Sequence, residues 1–213
     1  GIGGRRSDIK AIYYVFKLID LDALKGKEKL VYYCFKGIGV EENKEKGYEL
    51  IDEIKEIDVG TSKYIKGYLG EQGLIDIDKD EIIKSYRDGI ELGNLECYGQ
   101  LAAYLYNNEL NKNNKYKEAF EISMEGQSLG VNKCKYIFLK EKLKEIQSSG
   151  IVTVEELIIV KKLGKLINRG VYEVINDLIE WYNTRRPQDK TIYYDLQEKA
   201  IYFNVIKSEE RLQ

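Results

Sequence analysis

Apolar and polar residues alternate along this chain with the period of an α-helix, and a short glycine-bearing pattern returns every 33 to 40 residues. Gly89-Ile90-Glu91-Leu92-Gly93-Asn94-Leu95-Glu96-Cys97 matches Gly126-Gln127-Ser128-Leu129-Gly130-Val131-Asn132-Lys133-Cys134 at both glycines, at Leu and at Cys. The second glycine recurs at Gly26, Gly60, Gly93, Gly130 and Gly170. Four residues after these glycines stand Leu30, Tyr64, Cys97, Cys134 and Val174, and eight after them Cys34, Tyr68, Leu101, Phe138 and Leu178. Steps of four keep side chains on one helical face, so each glycine predicts a following helix (helix A) whose inner face these residues form. A spacing in the middle thirties is that of a helix-turn-helix repeat.

A second helix (helix B) precedes each glycine, with copies around Gly47–Ile51, Ile82–Tyr86 and Ala119–Ser123. The glycines are expected to close these helices in the left-handed conformation, and Ser62, Asn94 and Asn132 to cap the helices that follow. Asp78-Lys79-Asp80-Glu81 and Thr153-Val154-Glu155-Glu156 read as capping boxes, with Glu81 reaching back to its cap. Beyond Gly150 the repeat blurs, yet Glu155–Asn168, Tyr172–Asn183 and Thr191–Ser208 read as three amphipathic helices, with Pro187 between the last two. No strand pattern and no flexible linker stand out. The expectation is an all-α chain, a single helical-repeat domain over 1–213, clearest over 24–146 and divergent over 150–213.

The loop copy Gly37-Ile38-Gly39-Val40-Glu41-Glu42-Asn43-Lys44-Glu45-Lys46-Gly47 resembles the Sel-like repeat family, relatives of the tetratricopeptide repeats, whose loop runs G-x-G-V-x-x-D-x-x-K-A. Asn43 stands for the family's Asp, Lys46 matches its Lys, and Gly47 replaces its Ala; the second copy keeps Asp78 but has Glu81 at the Lys position, and the third keeps Ala119. The resemblance implies a right-handed α-solenoid that assembles other proteins without chemistry of its own.

Composition narrows the chemistry. The 213 residues include no His, one Pro and 18 Tyr, and 34 basic residues against 36 acidic ones leave a net charge of −2. Without imidazole there is no His-bearing zinc site, Ser-His or Cys-His triad, or His pH switch. The balanced charge argues against a nucleic-acid coat. Cys34, Cys97 and Cys134 form neither a closed disulfide framework nor a CxxC site and read as reduced, buried residues of a cytoplasmic protein. Gly1 to Arg6 read as an expression remnant or a trimmed end, and no apolar run reaches a membrane span's length.

Individual motifs favour structure over chemistry. Asp76-Ile77-Asp78-Lys79-Asp80 alternates like a calcium loop, but Glu81 stands where the turn needs Gly and Arg87 where a bidentate Glu is required. Gly37-Ile38-Gly39 is a lone GxG without a preceding strand. Trp181-Tyr182 with Arg185-Arg186 reads as core more than as a stacking patch for an anion. No metal, cofactor or catalytic residue is expected.

Binding is the expected function. In stacked helix pairs the A helices line the concave side. Beside the core offsets, offset 3 gives Lys29, Lys63, Glu96, Lys133 and Glu173; offset 6 gives Tyr32, Lys66, Gly99, Tyr136 and Asn176; offset 10 gives Lys36, Gly70, Ala103, Lys140 and Glu180. Lys29, Tyr32, Lys36, Lys63, Lys66, Lys133, Tyr136 and Lys140 therefore predict a basic, tyrosine-bearing face for a protein or acidic peptide, with neither nucleic acid nor membrane as partner. Its sharper form is an immunity or antitoxin protein that neutralises a bacterial effector. The competing class is an enzyme built on a glycosidase-like carboxylate pair. RNA binding needs an unbroken basic stripe, which Glu96 and Glu173 interrupt.

Overall fold

A computed structural model describes residues 4–107, 114–147 and 151–203. Eleven helices and no strand occur among them. The A helices are α2 (Ala23–Lys36), α4 (Val59–Glu71), α6 (Leu95–Asn107), α8 (Asn132–Ile146) and α10 (Val174–Arg185); the B helices are α3 (Lys44–Ile57), α5 (Lys79–Glu91), α7 (Asn114–Ser128), α9 (Val154–Ile167) and α11 (Lys190–Tyr202). One helix, α1 (Gly4–Leu21), precedes the first pair and packs on α2. The fold is all-α, and no described helix is long and apolar enough to cross a membrane. Two compact units divide the chain, residues 1–104 and 105–213. Ser208, expected in the last helix, lies outside the described residues.

The predicted core offsets are realised. Tyr64, Cys97, Cys134, Val174, Cys34, Leu101 and Leu178 are buried, and Leu30, Tyr68 and Phe138 are half-buried. Cys97 and Cys134 are fully enclosed, and burial pushes both thiols up to about 12, so neither is a nucleophile at neutral pH. An ideal Cβ on Gly89 would lie 2.4 Å from the Cys97 sulfur, so in this copy the glycine makes room for the cysteine.

The glycines divide into two roles. Gly93, Gly130 and Gly170 have φ of 82°, 86° and 83° and close α5, α7 and α9. In each case the glycine amide bonds three residues back and the next amide five back, as in Gly93 N to Ile90 O and Asn94 N to Gly89 O, both 2.9 Å. That is a Schellman closure, which satisfies carbonyls a helix end leaves open. Gly26 and Gly60 are not closures: both lie inside helices, because Asp22 and Asp58 end one helix and start the next. The Asp58 amide bonds Ile54 O while its side chain accepts from the Thr61 amide. Nothing lies within 4 Å of a Cβ on Gly93, so Gly93→Val is expected to cost about 1–2 kcal/mol by backbone conformation alone. Chemical denaturation checks this, and an unchanged midpoint would refute the assignment.

Of the predicted caps, Asn94 accepts from Cys97 N, Asp78 from Glu81 N and Thr153 from Glu156 N. Ser62 is no cap: α4 starts before it, and its hydroxyl bonds Val59 O. Asn132 is none either, since α8 begins after Val131 without a side-chain cap and Asn132 accepts from Arg169 instead. Glu81 does not reach back; it takes the Lys66 ammonium at 2.5 Å. For Asn132 and Glu81 a partner from elsewhere in the chain outcompetes the local bond.

Candidate functional site: the faces of the A helices

In residues 1–104, α2 and α4 bring Tyr32, Tyr64 and Tyr68 together. Tyr64 and Tyr68 stack at 6.1 Å between ring centres, and Tyr32 meets Tyr68 at 5.7 Å. Burial, against a Gln100 hydrogen bond, pushes the Tyr64 hydroxyl up to about 12. These rings border a cleft of about 50 Å³ that also takes in Glu28 and Lys29. Glu28 is buried, with Lys25 at 3.1 Å and Lys29 at 3.3 Å. Lys25 also reaches Glu96 of α6 at 2.7 Å. Burial opposes its charge, but the Glu96 hydrogen bond and Glu28 together hold the ammonium above its ordinary value.

Two further lysines of this face are paired as well. Lys63 meets Asp88 at 2.6 Å and Lys66 meets Glu81 at 2.5 Å, both acids on α5. Lys36, at the end of α2, is exposed and forms no ion pair among the described residues. The uncompensated basic face expected from the A helices alone is therefore a mosaic of ion pairs around half-buried aromatic rings. Such partly exposed pairs contribute little stability, on the order of 0–1 kcal/mol each, but they fix donors and acceptors in place.

In residues 105–213 the same positions form a tighter network. Tyr136 is buried rather than exposed as expected, and its hydroxyl donates to Asp177 of α10 at 2.7 Å. Lys140 donates to Asp177 at 2.8 Å and to the Tyr136 oxygen at 3.2 Å. Lys133 stands 3.6 Å from Glu173. Beside them Tyr106 donates to the buried Glu141, and Lys144 donates to Tyr106 and pairs with Glu141 at 3.1 Å. Burial first, then the neighbouring carboxylates, raises both hydroxyls, Tyr106 to about 12. Phenols held this way are hydrogen-bond donors and not proton acceptors.

This network borders a cavity of about 320 Å³ lined by Lys140, Lys144, Asp177, Glu180, Trp181 and Thr184. Trp181 belongs to the core: it is 2% exposed and donates to Glu156 at 2.7 Å. A carboxylate acid-base pair needs one member held protonated, with its pKa raised. Where described carboxylates depart from their ordinary value, at Glu53, Glu96 and Glu156, they move down.

Sequence reasoning missed the buried acids Glu28, Glu141 and Glu156 and the tyrosine donors that serve such groups. The signal was present in the apolar period. Glu156 stands on the stripe of Ile159, Val160 and Leu163, and Glu141 on that of Cys134 and Ile137. An acid on a buried stripe requires a partner from elsewhere.

No protein-family model matches the sequence, and no curated protein matches it. Among solved structures, a Sel1 repeat protein from Oxalobacter formigenes is similar in fold, with a TM-score of 0.59 at 18% identity over 91% of this chain and 80% of that one. The helix pairs expected from the glycine spacing, and the α-solenoid that the Sel-like resemblance implied, are thus a fold this chain shares with a solved Sel1 repeat protein.

Proposed function

We propose that this protein is a binding scaffold that holds a protein partner on the faces of its A helices and performs no chemistry of its own. The observation that carries the reading is the pre-ordered mosaic around Tyr32, Tyr64 and Tyr68, with Lys63–Asp88 and Lys66–Glu81 beside it. The half-buried Tyr32 and Tyr68, backed by the buried Tyr64, supply large rigid contact area at low entropic cost, and fixed charges of both signs provide register. Lys29, Tyr32, Lys36, Lys63, Lys66, Lys133, Tyr136 and Lys140 are the residues we assign to this face or to its support. Because most of these lysines already own a carboxylate, the mosaic favours a folded protein surface of mixed charge over a uniformly acidic peptide.

Charge reversal at Lys63 or Lys66 is a poor test, since it would set two acids against each other inside the fold. Photo-cross-linking from Lys36 and Tyr32 is cleaner, with Tyr48 on α3 as an exposed control. One protein cross-linked from the first two sites and not from the third is the expected outcome. Equal labelling from all three, or from none, would remove the A-helix face as the binding surface.

A further inference from the structure

On the flank of α8 away from Tyr136 and Lys140 lies a second, chemically different feature. A groove of about 580 Å³ runs between α8 and α9, with Lys135 on one wall and Lys162, Lys165 and Arg169 on the other. The last three follow at steps of three and four along α9 and its closing turn, so they share a face. None of the four forms an ion pair among the described residues, whereas Lys63, Lys66 and Lys140 each hold a carboxylate. Arg169 donates to Asn132 at 3.3 Å, which ties the end of α9 to the start of α8.

The start of α8 adds an independent argument. A helix N-terminus favours negative charge in its first turn and a side-chain acceptor for its open amides. The first turn of α8 has no acid and Val131 supplies no cap, while Lys133 and Lys135 stand there instead. The dipole of α9 accounts for cations near its own end, at Lys165 and Arg169, but it does not account for Lys135. The groove thus gathers four cations, without an ion pair among the described residues, next to a helix start that has neither cap nor acid.

We propose that this groove docks an acidic segment of a protein partner, an extended stretch of Asp or Glu. Asn132 to Leu139 and Lys162 to Arg169 each span about 10 Å of helix, the length of roughly three or four extended residues. Phe138, Leu139 and Leu166 also line it, which suits a peptide's intervening aliphatic side chains. A single-stranded nucleic acid would require rings free to stack, but the Phe138 ring already stacks on Phe120 at 5.5 Å. This site is separate from the A-helix face and stands or falls independently of it.

Fluorescence anisotropy tests it with a labelled decapeptide alternating Glu and Leu, and with its Gln counterpart. The intact chain is expected to bind the Glu peptide and not the Gln peptide, and to weaken as salt shortens the screening length. Lys135→Glu/Lys162→Glu/Lys165→Glu is expected to weaken binding about tenfold or more. Should that variant misfold by circular dichroism, Lys162→Gln/Lys165→Gln, at two exposed positions, carries the same test with a smaller loss. Lys84→Glu, at an exposed position of α5 outside both sites, is expected to leave the affinity unchanged, which separates the groove from a general loss of positive charge. Equal binding of the Gln peptide, indifference to both groove variants, or preferential displacement by single-stranded RNA would overturn the proposal.

Discussion

Arg185→Ala is expected to destabilise residues 105–213 by about 3–5 kcal/mol, the range for leaving a buried carboxylate without its cation. The carboxylate is Glu156, which is fully buried on α9. It takes the Arg185 Nε at 2.9 Å, a second guanidinium nitrogen at 3.0 Å and the Trp181 indole at 2.7 Å. Loss of the arginine leaves only neutral donors, the Trp181 indole and the Thr153 backbone, for a full charge in an apolar setting. Arg185 also contributes its aliphatic stem, so the charge effect must be separated from packing. Glu156→Gln/Arg185→Ala does this: the amide oxygen still accepts from Trp181, and no charge is stranded. The double variant is expected to recover at least half of the loss in chemical denaturation; no recovery would mean that packing alone is at work.

The pH dependence gives the same conclusion a second route. Burial works to raise the Glu156 pKa, but the hydrogen bonds from Arg185 and Trp181 outweigh it and hold the group below its ordinary value. A depressed carboxylate stabilises the fold above its unfolded pKa, and that contribution is lost as pH falls through the folded one. In Arg185→Ala burial is opposed only by the neutral donors of Trp181 and Thr153 and the pKa moves up, so the penalty is largest near neutral pH and fades as Glu156 protonates. The stability gap between variant and wild type is therefore expected to narrow from about pH 7 to about pH 4, around the usual carboxylate range. A gap that stays constant across that window would contradict the stranded-charge account.

The helices and their core faces were legible because they depend on short-range periodicity: all ten offset positions are buried or half-buried. The closing glycines at 93, 130 and 170 were legible for the same reason. What the sequence concealed was pairing between helices. Lys63, Lys66 and Lys140 read as an open basic face because their acids lie 25, 15 and 37 residues further along. A projection of one helix contains half of each pair. The α8–α9 groove escaped notice likewise, since Lys135 belongs to one helix and Lys162, Lys165 and Arg169 to the next. Glycine spacing misled where a single Asp both closes and opens a helix, because the repeat length is kept while the glycine takes another task.

Gly26 has the most demanding of those tasks, and Gly26→Val is the second large expected effect. A Cβ there would lie 2.4 Å from the Ile19 Cγ1, 2.5 Å from its backbone nitrogen and 2.6 Å from its Cα. A side-chain tip can swing aside, but backbone atoms move only if α1 moves. The substitution is therefore expected to cost about 3 kcal/mol or more, at the upper end of overpacking, and to lift α1 off α2. Gly93→Val provides the comparison, with a strained φ and empty space around it. If Gly26 were a closing glycine like Gly93, the two variants would lose similar amounts and α1 would stay docked. As a crossing glycine, Gly26→Val should lose more, and hydrogen exchange should accelerate selectively over the α1 amides while those of α4 and α5 remain protected. Gly26→Ala places the same Cβ against Ile19 without the valine branch and should give most of the effect, because contact with the first carbon already decides the outcome.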